Sequence, residues 1–442
     1  MLCLAIALIF GSSSNTCAQS STTTEQVSVK AHSQNAGSDL DRLVREKRYP
    51  ELERELLSSH LTAVERSYFE GILADRSNRV PQAIAILESI APSLRTTNRS
   101  RAAAALRTLA GDYFKMGRYA DASDVYSDLL QHFAAEFKPA ERRAIGDNQQ
   151  TFELLRGAAP QTVSGERSFS VPIQRNPIGD LDVPLKIGDA KQSWIFDTGA
   201  NISTITLSTA KRLGLTISKG HARTQGGATG AEVPLWTAVI PQLSFGAAIL
   251  RNVVTLVTDD KALDIALGEN GHYQIQGILG YPVLVALGSF TVTGDEMAVT
   301  ANSQRSARST RLYVEELTPL VMATVNGRDL LFGFDTGSSS AEFTSKYLRE
   351  FPRQFASLKT SEVRFGGAGG ERVLHVYHLP RVELALGSAP AQFNNVPVLT
   401  RGRGVDPLDQ VFGNLGQGLL NQFRTYTIDF SDMRLSVGEN VK

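Results

Sequence analysis

The chain has 442 residues, enough for two or three domains that each bury a core. Its 45 basic and 45 acidic residues cancel, which argues against a nucleic-acid footprint or a polybasic membrane patch. Apolar residues make up 42%, ordinary for a soluble globular protein, and the two cysteines, Cys3 and Cys17, sit together near the start.

Residues 1–18 read as a secretory signal peptide. The apolar run "MLCLAIALIF" is too short to span a bilayer, and Thr16 and Ala18 are small residues placed before a cleavage point. A basic n-region is missing. A lipoprotein signal at Cys17 is the weaker variant, because Ser14, Asn15 and Thr16 offer no aliphatic residue before it. The expectation is an exported protein, periplasmic or secreted. Cleavage removes both cysteines, leaving no disulfide, thiol nucleophile or cysteine metal site. Residues 19–37, rich in Ser, Thr and Gln, are expected to form a flexible lead-in.

Residues 38–157 carry helical periodicity. In "AALRTLAGDYFKMGRYADASDVYSDLLQHF" the apolar positions fit two amphipathic helices with a turn at Lys115 to Arg118. Gly71, Ala74, Val80, Ala83, Leu87 and Ile90 repeat the order of Ala110, Tyr113, Tyr119, Ala122, Tyr126 and Leu129. "REKRYPELERELL" is half of a third copy. This order of large, small and aromatic residues resembles a tetratricopeptide repeat, whose arrays dock partners or act as spacers. A generic helical bundle is the plainer alternative.

Residues 158–168 have the Pro, Gly and Ser content of a linker. Thereafter β-branched residues alternate and turn signals recur, so residues 169–442 are expected to be mostly β. "VPLKIGDAKQSWIF" reads as two strands joined at Gly188-Asp189, and "FTVTGDEMAV" as a hairpin. Residues 169–300 and 312–442 form two similar halves, joined by residues 301–311. Each half carries Phe-Asp-Thr-Gly after an apolar run, with Asp197 and Asp335 138 residues apart. Each then has a short amphipathic helix, "LSTAKRLGL" or "TSKYLREF". A glycine cluster follows 29 residues after Asp197 (Gly226, Gly227, Gly230) and 31 after Asp335 (Gly366, Gly367, Gly369, Gly370). "GILG" and "GNLG" then place Gly280 and Gly416 83 and 81 residues after their aspartates. Two copies of one β unit imply an approximate two-fold axis at which Asp197 and Asp335 meet.

At this point the chain resembles the pepsin and retropepsin aspartic proteases, through FDTGA at 196–200, FDTGS at 334–338, ILG at 278–280 and, more loosely, NLG at 414–416. The resemblance implies a bilobal acid-protease fold, two pseudo-symmetric β lobes behind an all-α repeat domain. It also implies an aspartic endopeptidase acting on peptides or proteins. Asp197 and Asp335 would be catalytic. Thr198 and Thr336 would bond across the two-fold, beside Gly199, Gly337 and Ser338. Ile278, Leu279, Gly280 and Asn414, Leu415, Gly416 would pack under the loops, and the glycine clusters would act as flaps. Both copies lie in one chain, so a monomer suffices.

That chemistry needs two carboxylates about 3 Å apart sharing one proton, with neither cofactor nor metal. Gly199 and Gly337 lack a Cβ and let backbone N–H groups approach the carboxylates. Ala200 stands where pepsin-like lobes usually have Ser and retropepsins have Ala, Asn201 where many retropepsins have Asp, and Asn414 where an aliphatic residue is usual; neither glycine cluster has the pepsin flap tyrosine. Rival motifs are thin: His375 and His378 in "HVYH" fall on opposite faces or at an edge of a strand, and no HExxH, GxSxG or phosphate loop occurs. Two other readings stand beside the enzyme. One is a catalytically silent peptide binder of the same fold; the other is a repeat scaffold with an accessory protease-like domain. Whether the helical region recruits, inhibits or spaces is open at this level.

Overall fold

A computed structural model of the chain describes residues 2–3, 26–225, 232–267, 271–301, 306, 308–367, 369–402 and 410–441. Its N-terminal region is helical and its C-terminal region mostly β. The helices are Gln26–Arg45, Tyr49–Ser58, Ala63–Arg76, Val80–Thr97, Arg99–Lys115, Tyr119–His132 and Pro139–Leu154. None of the described helices is long and apolar enough to cross a membrane.

Three of the joints between helices share one backbone turn. Lys47, Asn78 and Gly117 have φ of 58°, 56° and 72°. Each is followed by an arginine cap, Arg48, Arg79 or Arg118, with ψ near 60°. Each cap is followed in turn by a buried residue, Tyr49, Val80 or Tyr119. A left-handed residue reverses the chain, and the buried side chain pins the next helix against the last. Ala83 and Ala122 are fully buried at the crossings. At Gly71 a Cβ would stand 2.5 Å from Leu87 Cδ2, so the helices approach as far as glycine permits.

Two boundaries differ from the sequence expectation. The lead-in 19–37 is helical from Gln26 onward. Its polar composition favours solvent, but no proline interrupts it, and Leu40 and Leu43 anchor the same helix in the core. The linker 158–168 contains the strand Thr162–Gly165, paired antiparallel with residues 248–251, because Thr-Val-Ser favours an extended chain beside an open sheet edge.

The first β sheet has nine strands, and a second has fourteen, among the described residues. In the first, Leu181–Ile187 and Ala190–Phe196 form the expected hairpin, and Gly277–Leu279 runs parallel to the latter. In the second, Thr318–Val325 and Arg328–Phe334 form a hairpin, and Gly413–Leu415 runs parallel to the latter. Six strands bridge the halves, in the order Ser309–Glu315, Arg434–Val437, Thr425–Asp429, Ser289–Thr293, Glu296–Thr300, Ser168–Pro172. At their centre the hydroxyls of Thr291 and Thr427 pair at 2.9 Å, as do those of Thr293 and Thr425. Phe196, Phe290 and Phe430, all buried, fill the space behind this seam.

The helical region grips the β region through the hairpin tip at Glu315 and Glu316. Glu315 meets Lys47, and its Oε2 accepts from Tyr49 OH at 3.2 Å. Burial opposes the Glu315 charge, but Lys47 and Arg76 outweigh it and hold the carboxyl down to about 2. Arg107 donates to Glu316 Oε1 at 2.7 and 3.0 Å.

Gly117 tests how the joint and the linker pack. A Cβ there would lie 2.7 Å from Pro160 Cβ, at a left-handed φ. Gly117→Ala is expected to lower stability by about 1–2 kcal/mol in chemical denaturation. An unchanged midpoint contradicts this packing.

Candidate active site

Each Asp-Thr-Gly loop follows the last residue of a strand. Asp197 follows Ala190–Phe196, and its N–H donates to Leu279 O at 3.1 Å. Asp335 follows Arg328–Phe334, and its N–H donates to Leu415 O at 3.1 Å. The strands Gly277–Leu279 and Gly413–Leu415 thus fix the depth of both loops.

The two loops are tied to each other. Thr198 N–H donates to Thr336 Oγ1 at 3.0 Å, and Thr336 N–H donates to Thr198 Oγ1 at 3.0 Å. Each hydroxyl donates onward to the opposite strand: Thr198 to Phe334 O at 2.8 Å and Thr336 to Phe196 O at 2.7 Å. All four groups are buried, so losing any one leaves an unpaired polar atom in a dry place.

This cross-link brings the carboxyls together. A Cβ on Gly199 would stand 2.5 Å from Asp335 Cγ, and one on Gly337 would strike the Asp197 carboxylate. Glycine is therefore required at both positions by space. Gly199 N–H donates to Asp197 Oδ1 at 2.8 Å, and Gly337 N–H donates to Asp335 Oδ1 at 3.0 Å. Ala200 N–H adds a longer bond to Asp197 Oδ1 at 3.2 Å. Asp197 is 0% exposed and Asp335 3%. Burial first, and then the Asp335 charge, push the Asp197 carboxyl well up.

Beneath the loops the halves are braced alike. Gly280 and Gly416 leave no room for a side chain, the first against the backbone of Ile202 and Ser203, the second against Ser338 O. Tyr281 N–H donates to Ala200 O at 2.8 Å, and Gln417 N–H donates to Ser338 O at 2.8 Å. Ser338 contributes through its backbone, since its hydroxyl donates to Ser340 O. One brace is not alike. Ile278 is a buried apolar residue, while Asn414 Nδ2 donates to Asp335 Oδ2 at 3.0 Å. The residue that weakened the motif supplies a donor to one carboxylate.

Gly366 and Gly367 end the strand Thr360–Gly367, and Gly370 opens Gly370–Leu386, so this cluster is a hairpin tip. Gly369 and Gly370 take φ of 89° and 114°, and Gly369 N–H donates to Ala262 O of the other half at 3.0 Å. Gly226, Gly227 and Gly230 lie outside the described residues; the strands on either side of them pair antiparallel, Gln225 opposite Glu232.

Asp180 escaped the sequence reading. It lies on the strand edge before Leu181–Ile187, fully buried, and neither carboxyl oxygen has a hydrogen-bond partner among the described residues. Burial first, then the charges of Asp335 and Asp182, push it up to about 9. Asp182 itself is held by Asn176 Nδ2 at 2.9 Å and Tyr273 OH at 3.4 Å. Shifting Asp180 by the repeat offset lands on Thr318, whose Oγ1 donates to Asn201 Oδ1 at 3.2 Å, so the two halves place different chemistry at this position.

Residues 183–283 match the model of an aspartyl protease family. The match contains the first Asp-Thr-Gly loop and its Ile278-Leu279-Gly280 brace, and not the second. No curated protein matches the chain. A crystal structure of a retropepsin-like aspartic protease from Rickettsia conorii is similar over 30% of this chain and 98% of its own, at 20% identity and a TM-score of 0.23.

Asp180 makes a pH prediction. Its folded value lies above the unfolded one, so the stability it allows is complete below about pH 4 and is lost as pH rises toward 9. Asp180→Asn removes that loss. The variant should match wild type at pH 4 and exceed it by up to about 4 kcal/mol at pH 7 in denaturant titrations. A gap that does not grow with pH contradicts a neutral, buried Asp180.

Proposed function

We propose that the chain is an exported aspartic endopeptidase whose two-carboxylate site forms within one polypeptide, between two pseudo-symmetric β lobes. The observation that carries this reading is the reciprocal bonding of Thr198 and Thr336, which sets Asp197 and Asp335 side by side. The aspartyl protease match over residues 183–283 supports it. So do the shared braces at Gly280–Tyr281 and Gly416–Gln417.

Two buried carboxyls this close cannot both ionise cheaply, so the pair holds one proton. The ionised member takes a proton from a water between them as that water attacks the scissile carbonyl. The protonated member gives its proton to the carbonyl oxygen. The resulting gem-diol then collapses: the amine takes the pair's proton as the C–N bond breaks, and a diol hydroxyl returns one proton to the pair. Titration belongs to the pair, and neither role is fixed to one residue. The hairpin tip carrying Gly366, Gly367, Gly369 and Gly370 would close over a bound peptide and exclude water. We read the helical region as tetratricopeptide-like repeats, on the strength of its three matching turns.

A peptide-library cleavage assay across pH tests this. Asp197→Asn and Asp335→Asn should each lower kcat by about a thousandfold or more, with melting temperatures held or raised. Cleavage that survives both substitutions contradicts the proposal.

A further inference from the structure

We propose that the inner face of the helical region is a binding site for the acidic tip Glu315-Glu316-Leu317 of the chain's own β hairpin, and that this contact positions the first Asp-Thr-Gly loop. Only the turnover arm of the test rests on the protease reading.

Cations from successive helical units converge on two tip carboxylates. Lys47 and Arg76 face Glu315, the latter at 3.8 Å, and Arg107 makes a two-nitrogen contact to Glu316. The three side chains are 4%, 9% and 12% exposed. Buried charges are costly unless matched, so a tip without carboxylates would take these ion pairs from Lys47 and Arg107, while Arg76 would keep Asp75. Glu316 holds a φ of 59°, the left-handed residue of the two-residue turn between Glu315 and Thr318. Further along the same strand, Arg311 pairs with Glu53 at 2.5 Å, and the Tyr313 ring lies 5.3 Å from that of Tyr49.

The tip is one residue from the site's bracing. Thr318 follows Leu317 and donates to Asn201, four residues after Asp197. Its strand, Thr318–Val325, pairs with Arg328–Phe334, which delivers Asp335. A second path runs through Tyr281, which holds Ala200 O and lines one cavity together with Phe114, Tyr119 and Leu317. The helices therefore hold Glu315 and Glu316, just before Thr318, and share a cavity with Tyr281, so they adjoin both residues that brace the 197–201 loop. In this arrangement the helical region is a clamp on the site rather than a spacer or a recruiter.

The test uses the full chain. Arg107→Met leaves Glu316 buried without its partner; Arg107→Met with Glu316→Leu removes both charges. For Arg107→Met we expect kcat to fall about tenfold or more with KM within about threefold, and hydrogen exchange to speed up across residues 309–325 and 197–206. The double variant should return both readouts to within about threefold of wild type. Wild-type kcat and exchange in Arg107→Met overturn the proposal, as does a double variant no better than the single one. If Arg107→Met does not fold, Glu316→Gln must show the same local rise in exchange while Arg328–Phe334 stays protected; a uniform rise overturns the proposal. A wild-type chain that cleaves no peptide ends the protease reading, and the exchange arm still decides the clamp.

Discussion

Two carboxyls buried against each other are the constraint on which this structure turns. Each is out of water, and each lies against the other's loop glycine. Such a pair is tolerable only if the loops cannot drift and the net charge stays low. The exchanged threonine bonds meet the first condition, since each loop's threonine N–H ends on the other loop's hydroxyl and each hydroxyl on the opposite strand. In the proposed reading, one proton held by the pair meets the second.

The larger architecture serves that geometry. Tying two loops together is useful only if the sheets carrying them are also tied, and the six bridging strands with their threonine pairs do this from behind. The helical region adds a third layer of restraint through Glu315 and Glu316, at the tip of the hairpin that feeds Thr318 toward Asn201. The site is not symmetric in detail. Asn414 gives Asp335 a donor that Ile278 cannot give Asp197, and Asp180 places a third carboxyl near Asp335 where the other half has Thr318. These differences separate two residues that the motif makes look equal.

Much of this was legible because it repeats. Asp-Thr-Gly, the following helix, the glycine cluster and the bracing glycine recur at near-constant offsets, and β hairpins announce themselves through turn residues such as Gly188-Asp189. The polar segment before residue 38 misled, because composition reports solubility while a helix needs only an unbroken backbone and an anchor such as Leu40. Asp180 and the Glu315–Glu316 tip were invisible for another reason. Their meaning depends on what lies across from them: the dyad in one case, and Lys47, Arg76 and Arg107 in the other. Such pairings between distant segments leave no local pattern to read. Asn414, counted as a blemish in the motif, gained a role only when its amide met Asp335.

The most direct measurement is a carboxyl carbon-13 NMR titration of full-length protein labelled at aspartate, with Asp197 and Asp335 assigned by substitution. The account predicts two widely separated macroscopic steps that both residues report together, with a singly protonated pair between them. Two independent, single-step titrations near the ordinary aspartate value would contradict it.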